Sequence, residues 1–310
     1  MNKGIIAAIA GGIAVAIAAG IIAVSSAPAA LPEDGRAKVV ASFFPLYDFT
    51  RNVAGDRAGV SVFIPSGVEP HDWEPTPQNV AQAASADLLV YNGAGFEGWI
   101  SDINPKNAVD ATAGLELLEA TEEHEEEEEE HEGEEFDPHV WLDPVLAKHQ
   151  VSVIRDGLVR ADPDNAGYYI DNAARYLAEL DELDVFIRSE LSSCEKTDFI
   201  AFHSAFSYFS NRYGLTQHAI QGIAPEGEVL PQRIQEIKDL ATELGIDVIY
   251  SEELVDPRLA EVIAGEIPNG RVLVLSPLEG LEEEEERNGV GYLDKMRENV
   301  ENLKVGLKCT

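Results

Sequence analysis

The chain has 310 residues, 45% of them hydrophobic, and a formal net charge of −35. That length leaves room for two medium domains with cores of their own. Acidity of this size excludes a general nucleic-acid binder, opposes adsorption to anionic lipid, and attracts cations.

Residues 5–24 carry no charge and consist of Ala, Ile, Val and Gly. A run of that length can span a bilayer and is long for the core of a signal peptide. Residues 1–35 are therefore expected to form a signal peptide or N-terminal membrane anchor plus a short Pro/Gly linker. Everything after them is then extracytoplasmic, at the cell surface or in a periplasmic-type space. No Cys follows the run, so a lipoprotein anchor is not expected.

Strand, loop and helix then alternate. Residues 38–43 read as a buried strand, with a helix from Pro45 to about Ala54. Residues 60–64 form the next strand. Its exit, from Pro65 to Pro77, is studded with prolines and carries His71. A helix over 78–85 and a strand over 87–91 follow. The glycines 93 and 95 lead into a helix through Trp99, then a short strand over 107–110. Such alternation predicts a parallel sheet with helices on its faces and ligands at the strand carboxyl ends.

Residues 119–135 form an acidic insertion, nearly all Glu from 122 onward, broken by His124, His131 and Gly133. Like charges this dense predict disorder. The insertion reads as a solvated surface segment or a weak cation-collecting arm. Deleting it is expected to leave a main site's affinity within about tenfold. Directly after it comes Phe136-Asp-Pro-His-Val-Trp-Leu-Asp-Pro144. Pro138 and Pro144 bar a helix interior and stiffen the backbone around His139.

Residues 145–160 read as helix, with His149 as a surface residue. Asp162-Pro-Asp164 starts a long helix over about 165–191. Its apolar positions Tyr169, Ala173, Tyr176, Leu177, Leu180, Leu183, Phe186 and Ile187 lie on one face, and it would span about 40 Å. The second half repeats the grammar of the first. Strands are predicted at 198–202, 215–220, 247–250 and 271–275. Helices are predicted at 204–213, 232–244, 257–267 and 290–307, and a second glutamate run covers 282–286. His203 leaves the first of these strands. His218 lies within the second and reads as structural. Cys194 and Cys309 are expected to form a disulfide in an oxidising compartment.

The expected fold is α/β: two lobes, each a roughly four-stranded parallel sheet flanked by helices, joined by one long rigid helix. The expected divisions are 1–35, an N-terminal lobe over 36–163, the connecting helix over 164–192, and a C-terminal lobe over 193–310. If the two carboxyl-end faces oppose each other, His71, His139 and His203 can converge between them. Three imidazoles suit zinc, with a carboxylate or water in the fourth place. Glu279, Glu252 and Glu253 sit on strand exits and are candidates for it. Neither a compact metal motif nor a nucleophile or phosphate-loop pattern occurs.

Four stretches carry a more specific signal. They are Glu69-Pro-His-Asp-Trp-Glu-Pro-Thr-Pro77, Asp137-Pro-His-Val-Trp-Leu-Asp-Pro144, Phe202-His-Ser-Ala-Phe-Ser-Tyr-Phe209 with Arg212-Tyr-Gly-Leu215, and Ile220-Gln-Gly-Ile-Ala-Pro-Glu-Gly-Glu228. In that order they resemble the zinc/manganese ABC-transporter substrate-binding proteins, over nearly everything from Lys38 to Leu307. The resemblance implies two α/β lobes joined by a long helix, with a metal in the cleft. It implies delivery of the metal to a membrane permease driven by a cytoplasmic ATPase, by a protein expected to be a monomer and not an enzyme. His71, His139 and His203 stand where that family has its first three ligands. Manganese members usually carry a carboxylate at the place of His203, so the resemblance favours Zn²⁺ over Mn²⁺ as cargo. Where many members have an Asp ligand after the last strand, this chain has Ser276. That leaves Glu279, water or a carboxylate of the acidic insertion for the fourth position. Two other readings stay open at this point: a zinc-dependent hydrolase or hydratase with a three-histidine, one-water site, and a metal-binding adhesin on the same scaffold.

Overall fold

A computed structural model describes residues 35–310 except 104, 106, 121–135, 226 and 228. The apolar N-terminal run and the acidic insertion beyond residue 120 lie outside the described residues. Among the described residues no helix is long and apolar enough to cross a membrane.

The first sheet contains β1 (Ala37–Ala41), β2 (Ala58–Val62), β3 (Leu88–Tyr91) and β4 (Ala108–Asp110), in the order β2-β1-β3-β4. The second contains β5 (Asp198–Ala201), β6 (Thr216–Ala219), β7 (Val248–Ser251) and β8 (Arg271–Val274), in the order β6-β5-β7-β8. Every pairing is parallel. Parallel strands are covered on both faces and read as continuous apolar runs rather than alternating ones. Val39, Val40 and Ala41 of β1 and Leu88, Leu89 and Val90 of β3 are accordingly buried. In each sheet the chain reverses its winding beside the first strand, between β1 and β3 and between β5 and β7. Strand exits at such a reversal open a crevice.

The helices are α1 (Phe44–Ala54), α2 (Pro77–Ser85), α3 (Pro144–Ala161), α4 (Ala166–Leu191), α5 (Ser207–Tyr213), α6 (Pro231–Leu244), α7 (Arg258–Glu266), α8 (Glu283–Asn288) and α9 (Tyr292–Leu307). With 26 residues, α4 is about 39 Å long. It buries Tyr169, Asn172, Ala173, Tyr176, Leu180, Leu183 and Ile187. That face lies along α1 and α3 on one side and α9 on the other. The main hydrophobic core therefore does not stop at a lobe boundary. It runs from β1 and β3 through α3, α4 and α9 to Phe199, Phe206, Val248 and Tyr250 under the second sheet. A smaller core, including Ile200, Ile237, Ile249 and Ile263, fills the other face of that sheet.

One buried carboxylate ties this junction. Asp48 of α1 accepts from the Tyr176 hydroxyl of α4 (3.1 Å) and from the backbone N–H of Tyr292 at the start of α9 (3.3 Å). Burial raises its pKa, against the opposing charge of Arg51 and these hydrogen bonds.

Three elements differ from the sequence reading. The expected helix after Gly95 is a short 3-10 segment, Gly98–Asp102. The helix after His203 begins at Ser207, because the Ser204 and Ala205 amides bond the Gly222 and His203 carbonyls instead. The second glutamate run is helix α8 rather than a mere charge run. Its acidic residues fall in the first turn, where the helix dipole favours them, and Lys295 pairs with Glu285 at 2.8 Å.

Cys194 and Cys309 are disulfide-bonded across 115 residues, joining the segment before β5 to the end of α9. In the chain-entropy account a loop of that length is worth about 4–5 kcal/mol. The double variant Cys194→Ser/Cys309→Ser is expected to unfold at clearly lower denaturant concentration than the parent. Thiol titration of unfolded, unreduced protein should find no free thiol; two free thiols would contradict the bond.

Candidate metal centre

Two ligand candidates sit on a repeated local device. In Glu69-Pro70-His71 and Asp137-Pro138-His139, a carboxylate precedes the histidine by two residues. The backbone N–H of His71 donates to Glu69 Oε1 (3.1 Å), and that of His139 to Asp137 Oδ1 (2.9 Å). The intervening proline fixes φ and supplies no competing donor. His71 lies on the loop between β2 and α2, with the ring of Phe96 edge-on to its own at 5.0 Å. His139 lies between β4 and α3, packed on Trp141 at 5.1 Å.

His203 leaves β5 at the winding reversal of the second sheet, and Glu252 leaves β7 beside it. Their adjacency follows from the sheet order. The Nδ1 of His203 lies 2.7 Å from Glu252 Oε1, and the Nδ1 of His139 lies 2.8 Å from Asp137 Oδ1. A carboxylate at Nδ1 holds the proton there and turns the Nε2 lone pair the other way. Both Nε2 atoms face Glu279.

Glu279 follows β8 on a tightly held loop. Asn299 bonds both the N–H and the carbonyl of Ser276 (2.8 and 2.7 Å). The Ser276 hydroxyl accepts from Leu278 N–H (3.1 Å), and Leu278 adopts φ 59°. The Trp141 indole donates to the Pro277 carbonyl at 2.7 Å, binding this loop to the His139 segment. Glu279 Oε1 then lies 3.1 Å from the Nε2 of His71, 3.1 Å from that of His139 and 3.3 Å from that of His203. The Nε2 atoms of His139 and His203 are 3.3 Å apart. One atom from each of the four residues falls within 4.8 Å of all the others. Four donors about 2.0–2.1 Å from a tetrahedral Zn²⁺ stand roughly 3.3 Å from one another, and the three separations to Glu279 and the one between His139 and His203 are close to that.

The cluster is shielded: His139 and His203 are fully buried and Glu279 is 3% exposed. Burial opposes charge on all three. For Glu279, the charges of His71 and His203 and hydrogen bonds from His139 and His203 outweigh burial and hold its carboxyl well below the usual range. For His203, Glu252 and Glu279 overcome burial and hold the imidazole well above its ordinary value. Asp137 and Glu279 likewise raise His139 against its burial. Without a metal, protons on the imidazoles supply the positive charge that this carboxylate requires.

The structure thus brings together His71, His139, His203 and Glu279. It does not bring in the others. His149 bonds the Ala113 carbonyl at 2.9 Å, and His218 pairs with Asp198 at 2.9 Å. Glu252 orients His203 from behind instead of entering the cluster. Glu253 receives the Ser276 hydroxyl and pairs with Lys295 at 3.3 Å. His124 and His131 lie outside the described residues. Sequence reasoning passed over Asp137 as an orienting group. The doubled carboxylate-Pro-His spacing was its signal.

Comparisons with known proteins identify the family. The family described as zinc-uptake complex component A, periplasmic (ZnuA), matches residues 39–306. The high-affinity zinc uptake system protein ZnuA of Bacillus subtilis strain 168 is 41% identical over 278 residues, which is 87% of each chain. The zinc-binding protein AdcA of Streptococcus pyogenes serotype M3 is 36% identical over 88% of this chain, which spans only 56% of that longer protein. Among solved structures, the Zn(II)-bound ZnuA-like domain of Streptococcus pneumoniae AdcA superposes with a TM-score of 0.76 at 35% identity. It covers 88% of this chain and 99% of that one. On the breadth of the family match and the identity to its Bacillus relative, the chain belongs to the ZnuA family of zinc-uptake component A proteins.

Proposed function

We propose that the protein captures Zn²⁺ outside the cytoplasm, with His71, His139, His203 and Glu279 as ligands, and hands it to an ABC-transporter permease coupled to a cytoplasmic ATPase. The observation that carries this is the donor set: three imidazoles and one carboxylate, three of the four residues buried, brought within 4.8 Å of one another. Family membership and the zinc named in the relatives support it. Imidazole-rich sites favour zinc; manganese favours oxygen-rich ones. Glu279 fills the fourth position, which leaves no place for an attacking water. A hydrolase needs that place open, so the geometry favours a carrier. The extracytoplasmic address rests on the family and on the apolar run at residues 5–24.

Zinc competition titrations on the wild type and single variants test this reading. His139→Ala and His203→Ala are expected to weaken binding by orders of magnitude. His149→Ala and His218→Ala, away from the cluster, should change little. Wild-type affinity in His203→Ala would show that the second lobe contributes no ligand and would overturn the assignment.

Proton competition sets the pH dependence. Zinc requires neutral imidazoles, and His139 and His203 hold their protons above the ordinary histidine range. Glu279 stays ionised throughout. Apparent affinity should therefore fall as pH drops, starting above ~6.5, with a slope approaching two protons, about a hundredfold per pH unit. Titrations at several pH values read that slope, and a flat profile would contradict it.

The metal-free protein should behave in the opposite sense. Its two raised imidazoles add stability that is fully present below ~6.5 and is lost as pH rises through their folded values. Buried Glu97, raised to about 7 by desolvation against its hydrogen bonds, acts in the same direction. Thermal melts of metal-free protein should thus fall in midpoint from pH 6 to pH 8, while excess zinc reverses the trend.

A further inference from the structure

Glu279 owes its place to the loop that carries it. On one side it borders a small cavity of about 10 Å³ that Glu252, Glu253 and Pro277 also line. A cavity of that size is about right for one water, so close packing does not fix the carboxylate on that face. The backbone must aim it instead. Leu278, directly before it, has φ 59°. A residue with a Cβ keeps that left-handed conformation only where its surroundings hold it. Here the Leu278 N–H donates to the Ser276 hydroxyl at 3.1 Å, and that hydroxyl donates to Glu253 Oε1. An ionised carboxylate can only accept. A charged Glu253 therefore fixes the hydroxyl as its donor and leaves a lone pair of Ser276 for Leu278.

That charge needs support. The Glu253 side chain is 7% exposed, and its Oε2 is buried without a hydrogen-bond partner among the described residues. Burial pushes its carboxyl up, against the charge of Lys295 and the Ser276 hydrogen bond. Lys295 of α9 brings its Nζ to 3.3 Å from Glu253 Oε1. It is itself only 3% exposed, which is rare for a lysine. Burial opposes its charge, and Glu253 leads the groups that outweigh burial and hold the ammonium above its ordinary range. Its other partners, Glu285 at 2.8 Å and Glu298 at 3.2 Å, have side chains 22% and 55% exposed. Such outer pairs form without taking a lysine out of water; the pair with Glu253 is the one that buries it. Glu253 also follows Glu252, which orients His203 from the same exit of β7. Glu252 faces an imidazole whose charge changes when a metal displaces its proton. Glu253 faces a lysine, whose charge does not.

We propose that Lys295 is a positioning residue for the metal centre: through Glu253 and Ser276 it holds the turn at Leu278 that aims Glu279 at the zinc. The buried ammonium touches no ligand. It keeps Glu253 ionised, Glu253 keeps the Ser276 hydroxyl in place, and the hydroxyl keeps Leu278 left-handed. This rests on the reading of Glu279 as fourth ligand and names what sets its aim.

The test compares wild type, Lys295→Met, Ser276→Ala, the double variant of these two, Glu285→Gln and Glu279→Ala. Zinc affinity is read by competition, and coordination geometry by the visible spectrum of the cobalt(II)-loaded protein, with circular dichroism confirming folding. Lys295→Met and Ser276→Ala should each weaken zinc about tenfold and alter the cobalt spectrum in the same way. Residues acting in one chain are not additive, so the double variant should bind no more than about threefold weaker than either single variant. Glu285→Gln removes an outer partner of Lys295 and should match wild type in both readouts. Ser276→Ala deletes a single hydroxyl and decides the matter if Lys295→Met does not fold. Wild-type affinity and spectrum in Ser276→Ala, additive losses in the double variant, or an equal loss in Glu285→Gln would each overturn the role of Lys295 while leaving the ligand assignment standing. Wild-type affinity in Glu279→Ala would overturn both.

Discussion

The Glu279 carboxylate is buried among three imidazoles, and that constraint governs the rest of the structure. An ionised carboxylate out of water is costly unless a positive charge and hydrogen bonds meet it. Among the described residues, only protons on the imidazoles can do so here, and otherwise a bound cation must. With Asp137 and Glu252 at their Nδ1 atoms, His139 and His203 add further negative charge behind the rings. Three carboxylates therefore surround three imidazoles, an arrangement that a divalent cation balances better than protons shared among neutral rings.

The fold meets that constraint by spending rigidity around the centre. The segments that carry His139 and Glu279 are tied together by the Trp141–Pro277 bond, and the joining helix is one side of a shared core. Asp48, Tyr176 and Tyr292 pin that core at the junction of α1, α4 and α9. The disulfide secures the far end of α9 to the segment entering β5, the strand that delivers His203. Stiffness in the scaffold becomes precision in donor spacing, so little reorganisation is needed when a metal arrives.

Strands such as β3 and β7 were legible because buried parallel strands read as apolar runs, bounded here by turn residues, whereas β6, Thr216-Gln-His-Ala219, was legible only from its place in the alternation. The long helix was legible from its three-four spacing. What failed was local competition. The chain after Gly95 settles into a single 3-10 turn, and the chain after His203 bonds Gly222 before it can turn helical. The three histidines stood out because proline-stiffened loops and strand exits are where ligands gather. Glu279 was harder to tell from Glu252 and Glu253. Their roles depend on which strand exit faces which, and on a left-handed residue at Leu278 that turns the loop inward. Sheet order decides the first of these. Glu252 lies 49 residues from His203 in sequence, yet the two strands are neighbours.

That pairing also bears on metal choice. Imidazole at position 203 has two faces to satisfy: Nε2 toward the centre and Nδ1 toward Glu252. A carboxylate in its place would offer no proton to Glu252. It would add a third buried negative charge within reach of Glu252 and Glu279, where burial weakens solvent screening. Preference for an imidazole at position 203 is therefore written into Glu252 as much as into His203 itself. An oxygen-rich site for a harder ion would need Glu252 altered together with His203, because each makes the other's burial tolerable.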